Sequence, residues 1–168
     1  MDLKSVLGPE VAGRIEPFGN GRRYVRAGEW ARAMAWLVDF VVVALGAAVG
    51  LVVLALVDRT ANFGNGTLTL ALLGLLIGSP LVYGIFYGNG RALGGLLTGT
   101  QLVRLRDGGR LGLRAPWAML VRTLLLPFLL AGFLVGSFSG GGSPPGSFVR
   151  VSLDVDATRR LWAAEAPA

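Results

Sequence analysis

Histidine and cysteine are both absent from the 168-residue chain. Imidazole acid–base chemistry, thiolate nucleophiles, disulfides and zinc-finger ligand spacing are therefore excluded together, and no cofactor or metal site is expected. Charge is scarce as well: 15% of residues are charged, against roughly 25% in soluble domains. Apolar residues make up 53% of the chain and gather in blocks of about twenty, enough to cross a hydrocarbon core of roughly 30 Å as helix. The composition predicts an all-α membrane protein, a small polytopic helical bundle, and argues against a soluble enzyme. The net charge of +6 does not point to nucleic acid, because the arginines flank the apolar blocks and are not spread along one polar face. Anionic lipid headgroups are the expected partners of these basic loops.

Read from the start, residues 1–28 form a polar leader with Lys4, Arg14, Arg22, Arg23 and Arg26, interrupted by Pro9 and Pro17. No long helix is expected there, nor is a cleavable signal peptide, whose apolar run would lie nearer the start. The first span runs from about Trp30 to Val57 and is closed by Asp58-Arg59; the second runs from about Thr67 to Tyr87. An aromatic-Gly-Asn-Gly sequence occurs at Phe18–Gly21, Phe63–Gly66 and Tyr87–Gly90, with an Asn-Gly pair suited to the positive φ of a tight turn and rings suited to headgroup level. The unequal spacing marks recurrent turn chemistry, not a structural repeat.

A basic connector follows over 91–115, with Arg91, Arg104, Arg106, Arg110 and Arg114. Within it, Leu102 to Leu113 reads as a short surface hairpin broken at Asp107-Gly108-Gly109, and Leu93 to Leu105 is equally compatible with a broken amphipathic helix. A third apolar block, Pro116 to Phe138, either crosses fully or turns back at Pro127. A Gly/Ser/Pro linker and a polar tail complete the chain over 139–168. Six Lys and Arg lie in residues 1–32 and five in the connector, against Arg59 alone in the first turn. That bias predicts a cytoplasmic N-terminus.

Arg32, Asp39 and Gly46 are spaced by seven and form one stripe on a helix, with Gly50 beside it. The stripe should face the bundle, since a carboxylate facing lipid costs several kcal/mol. Gly46 and Gly50, with Gly74 and Gly78 on the second span, suit close helix packing. Asp39 reads either as a proton or cation site or as the structural partner of a buried arginine, for which Arg122 is the candidate. Arg32 reads either as a snorkelling anchor or as part of that site. The spans hold no Ser/Lys or paired-carboxylate set at useful spacing, so no enzyme is expected.

The stretch Arg32-Ala33-Met34-Ala35-Trp36-Leu37-Val38-Asp39 resembles the first-helix signature of the RDD family of small membrane proteins, named for one arginine and two aspartates. Gly90-Arg91-Ala92-Leu93-Gly94-Gly95-Leu96-Leu97-Thr98-Gly99 is similar to its Gly-x-x-Leu-Gly-Lys-x-x-x-Gly connector, with Gly95 in place of lysine. Asp107-Gly108 and Arg122 fit the pattern too, and Asp154, or alternatively Asp156, stands for the second aspartate. The resemblance implies a bacterial inner-membrane protein with a transport-related role, including cation/proton exchange, at a site of Arg32, Asp39 and Asp154 or Arg122. Three spans are too few to enclose a path, so a homo-oligomer or another membrane protein is the expected partner. The alternative is a non-catalytic accessory, scaffold or assembly subunit of a larger membrane complex.

Overall fold

The computed structural model describes residues 7–125 and 150–165. The expected bend at Pro127, the end of the third block at Phe138 and the linker at 139–146 lie outside the described residues.

Two long antiparallel helices form the body. Helix α1 is a single turn, Pro9–Ala12, and α2 is the longest element, Glu29–Ala61. With no proline and no polar run between Trp30 and Val57, nothing interrupts its backbone ladder, and Glu29 in the first turn and Arg59 in the last complement the helix dipole. Its 33 residues span about 50 Å, so the ends project beyond a bilayer core. Leu45, Val49, Val52 and Leu56 share a face and are each more than half exposed. An apolar face of that extent needs an apolar surrounding.

The chain reverses after Asn62, which takes a left-handed conformation at φ 49° and donates its N–H to the Asp58 carbonyl at 2.8 Å. The Asp58 carboxylate accepts the Phe63 N–H, also at 2.8 Å. Helix α3, Asn65–Ile85, starts inside the second aromatic-Gly-Asn-Gly copy, so the turn is made by Asn62 and the expectation of a tight turn at Asn65-Gly66 is corrected. The other two copies do turn, with Gly21 and Gly90 at positive φ. Their rings, Phe18 and Tyr87, are buried within the protein. Helix α3 passes through Pro80 and ends in a 3-10 turn, Phe86–Asn89. Both α2 and α3 are long and apolar enough to cross a membrane.

The all-α expectation is corrected at the end of the hairpin where α2 begins and α3 ends. Strands β1, Ile15–Pro17, and β2, Arg23–Val25, pair antiparallel across the Phe18–Gly21 turn. The connector then forms a short helix α4, Leu93–Leu97, and strand β3, Thr100–Arg104. The connector expectation is corrected as well, because β3 pairs with β4, Arg150–Asp154, and not with the residues after Asp107. A partner so distant in sequence leaves no local pattern. The connector ends in α5, Ala115–Leu120, which runs into a π-helical turn, Val121–Leu125. The tail closes with α6, Val155–Glu165.

Leader, connector and tail share one core of Phe18, Tyr24, Val103, Leu153 and Val155. Phe18 stacks on Tyr24 with ring centroids 4.2 Å apart, and Trp162 of α6 donates to the Arg23 carbonyl at 2.7 Å beneath the Arg22 guanidinium, 3.7 Å from its ring. The Ala27 N–H bonds the Ser152 carbonyl, and the buried Thr158 hydroxyl accepts the Val25 N–H at 3.1 Å. Burial, then the hydrogen bond to Glu16 and its charge, raises the Tyr24 phenol above its ordinary range, so Tyr24 stays a neutral donor to Glu16 at 2.6 Å. These contacts fix the tail on the same side of the helical hairpin as the leader.

Candidate functional site

Asp39 lies ten residues into α2, about 15 Å along its axis, and is fully buried. A carboxylate there needs partners, because an uncompensated charge in an apolar medium is costly. Three elements supply them. Tyr83 of α3 donates its hydroxyl to Asp39 Oδ1 at 3.0 Å. The Gly94 N–H in the first turn of α4 donates to the same oxygen at 2.8 Å. Arg122, on the π-helical turn, places Nη1 3.4 Å from Oδ2. That contact is an ion pair only, and Oδ2 has no hydrogen-bond donor among the described residues.

The neighbouring groups hold these partners in place. Tyr83 Oη accepts the Leu93 N–H at 3.2 Å, so its proton is directed at Asp39. Arg122 Nη1 donates to the Tyr87 hydroxyl at 2.7 Å, and the Arg122 carbonyl accepts the Trp36 indole N–H at 2.9 Å. Tyr83 lies in the last turn of α3 and Tyr87 in the 3-10 turn that follows, where its ring packs on Ala92, Leu111, Ala115 and Met119. The π-turn widens the helix where Arg122 must reach Asp39, while the buried Thr123 hydroxyl returns a bond to the Met119 carbonyl at 2.8 Å.

Glycine makes this convergence sterically possible. A Cβ at Gly94 would overlap the Ala35 carbonyl oxygen and lie 2.9 Å from Asp39 Cγ. A Cβ at Gly84 would overlap Pro116 and lie 3.1 Å from Met119 Cβ, so α5 packs directly on α3. At Gly95 a Cβ would lie 2.8 Å from the Thr100 carbonyl oxygen, leaving no room for a side chain without moving β3.

Of the site residues read from the sequence, Asp39 and Arg122 come together and the others do not join them. Arg32 is about two turns from Asp39 and meets Glu29, 3.4 Å away. Asp154 accepts the Ala157 N–H at 3.0 Å and caps α6; it bonds none of Arg32, Asp39 and Arg122. Asp154→Ala should therefore cost the tail helix about 1 kcal/mol, read as roughly fivefold faster hydrogen exchange at the first amides of α6. Asp156 is exposed. A Cβ at Gly50 would overlap the Leu75 side chain, whereas one at Gly46, Gly74 or Gly78 would meet nothing within 4 Å among the described residues, and these three line an open crevice between α2 and α3. No group of three Asp or Glu side chains suited to a metal ion occurs among the described residues.

The paired Asp39 and Arg122 join the first long helix to the third apolar block, and the model of the RDD family matches residues 26–143. The chain belongs to the RDD family. The RDD match takes in Arg32, Asp39 and Arg122 but stops before Asp154 and Asp156. Searches of curated proteins and of solved structures each returned no match. Nothing in the sequence marks Tyr83, Tyr87, Trp36 and Gly94 as site residues. The four-residue spacing of the tyrosines and the Gly94-Gly95 pair inside the quoted RDD connector are the nearest signals.

Proposed function

We propose that this RDD protein is a multi-pass plasma-membrane protein in which Asp39 handles a proton or a cation against Arg122, in a transport-related role without catalysis. The observation that carries the reading is the buried Asp39 Oδ2, which lies inside a bilayer-length helix, lacks a hydrogen-bond donor among the described residues and faces a guanidinium at 3.4 Å. A proton or cation arriving at Oδ2 competes with Arg122 for one negative charge. Arg122 keeps a second acceptor in the Tyr87 hydroxyl, so the pair can loosen without leaving the arginine bare.

The orientation follows from charge. Arginines of the leader, connector and tail lie at one end of the hairpin and Arg59 at the other, which supports a cytoplasmic N-terminus. The described tail, 150–165, packs on the leader's side of the hairpin, so its arginines add to the charge at that end. Two long helices do not enclose a path alone, and a homo-oligomer completes its walls. A second reading, an accessory or assembly subunit, is favoured by the open crevice over Gly46, Gly74 and Gly78, which suits a helix of another membrane protein.

Proton, sodium and potassium flux in proteoliposomes tests the first reading. The unmodified protein is expected to conduct one of these ions and Asp39→Asn, reconstituted at equal level, to lose at least tenfold of that flux, roughly 1.4 kcal/mol in barrier. Equal flux from both overturns it. Absence of flux from the folded, unmodified protein transfers the weight to the accessory reading, for which native-membrane crosslinking should capture a stoichiometric partner.

A further inference from the structure

Beside the Asp39 site, where α3 ends and α4 begins, lies a cavity of about 400 Å³ lined by Tyr83, Phe86, Arg91, Ala92, Leu93 and Leu96. Arg91 is its only charge. Its Nε is buried without a hydrogen-bond partner, and no acidic side chain pairs with it, among the described residues. A buried donor without an acceptor is costly, and a guanidinium in an apolar setting selects carboxylate or phosphate. The remainder of the lining is apolar and open: Phe86 is 75% exposed, with Leu93 and Leu96 about half exposed. Tyr83 and Phe86 also wall a second cavity of about 430 Å³, which follows the α2–α3 crevice over Gly78, Gly74 and Gly46 and contains no charged residue.

Polarity therefore falls along one direction, from Arg91 in the cleft where α3 ends to an uncharged trough along α2 and α3. That gradient is the gradient of a phospholipid. We propose that this cleft binds one anionic phospholipid from the leaflet at the end where α2 begins and α3 ends, with its phosphate on Arg91 and an acyl chain against Phe86, Leu93 and Leu96. A soluble anion has no use for the apolar trough. A helix of a second copy would fill the crevice with leucine and valine and leave Arg91 without an acceptor. The lipid would rest against Tyr83, the residue whose hydroxyl holds Asp39.

Native mass spectrometry of the full chain in mild detergent, with equal amounts of phosphatidylglycerol and phosphatidylcholine of matched acyl chains, tests the proposal. The unmodified protein should retain one phosphatidylglycerol in preference to phosphatidylcholine by about fivefold or more, the effect of one favourable cation. Arg91→Gln should bring that preference close to one, while Arg110→Gln, on the exposed part of the connector, should leave it in place. Leu96→Trp, which fills the cleft from an exposed position, should also displace the lipid and serves if Arg91→Gln does not fold. No preference in the unmodified protein, a preference that survives Arg91→Gln or, in its place, Leu96→Trp, or an equal loss in Arg110→Gln, which would mean a diffuse basic surface, each overturns the site.

Discussion

Arg122→Met is expected to destabilise the protein by about 3–5 kcal/mol, and adding Asp39→Asn to it to restore most of the loss. The Asp39 side chain is fully buried and that of Arg122 is 16% exposed, so removing the guanidinium leaves a carboxylate with only the Tyr83 hydroxyl and the Gly94 N–H to stabilise it. The double variant removes the uncompensated charge as well as the pair. Denaturant unfolding in mild detergent, run as a double-mutant cycle, measures the coupling. A cost below about 1 kcal/mol for Arg122→Met would place the pair among weak surface bridges and remove the basis for reading it as a compensated intramembrane site. Arg32→Ala is the internal contrast: its partner Glu29 is 94% exposed, and its loss should fall in that weak range.

The sequence carries the helical hairpin because span length and hydropathy are local properties. Trp30 to Val57 has no breaker, and Asp58-Arg59 marks its end, as the helix Glu29–Ala61 reflects. Arg122 was legible as a partner for Asp39 because few charges lie within apolar blocks, so a buried carboxylate has few possible counterions. The β3–β4 pairing was not legible, since Thr100–Arg104 finds its edge on residues 150–154, and two five-residue strands of mixed polarity look like connector and tail. Asp154 is ambiguous in sequence for the same reason. Its position before Val155-Asp156-Ala157 fits a helix cap as well as an aspartate of the family pattern, and the bond to the Ala157 N–H shows that it caps α6. Tyr83 and Tyr87 sit in a stretch whose aromatic residues read equally well as interface anchors. What marks them as site residues is the approach of α4 and Arg122, which no spacing encodes.

Gly94→Ala is the smallest change with a large expected effect, about 3–5 kcal/mol. The added methyl would overlap the Ala35 carbonyl oxygen inside the unbroken α2 ladder and crowd the Asp39 carboxyl group. Neither neighbour can yield: one is helix backbone, and the other is held by Tyr83 and Arg122. Helix α4 must then lift away, breaking the Gly94 bond to Asp39 and the Leu93 bond to Tyr83. Overpacking costs about 1–3 kcal/mol, and a lost hydrogen bond to a charged group adds about 1.5–3 kcal/mol. Gly74→Ala has the opposite expectation, because nothing lies within 4 Å of a Cβ there among the described residues and alanine favours helix by about 0.5–1 kcal/mol. Measured side by side by denaturant unfolding, the two variants separate glycine that permits the Asp39 site from glycine that only lines the crevice. A Gly94→Ala protein as stable as the unmodified chain would mean that α4 does not pack against Asp39, and the Gly94 arm of the site would fall with it.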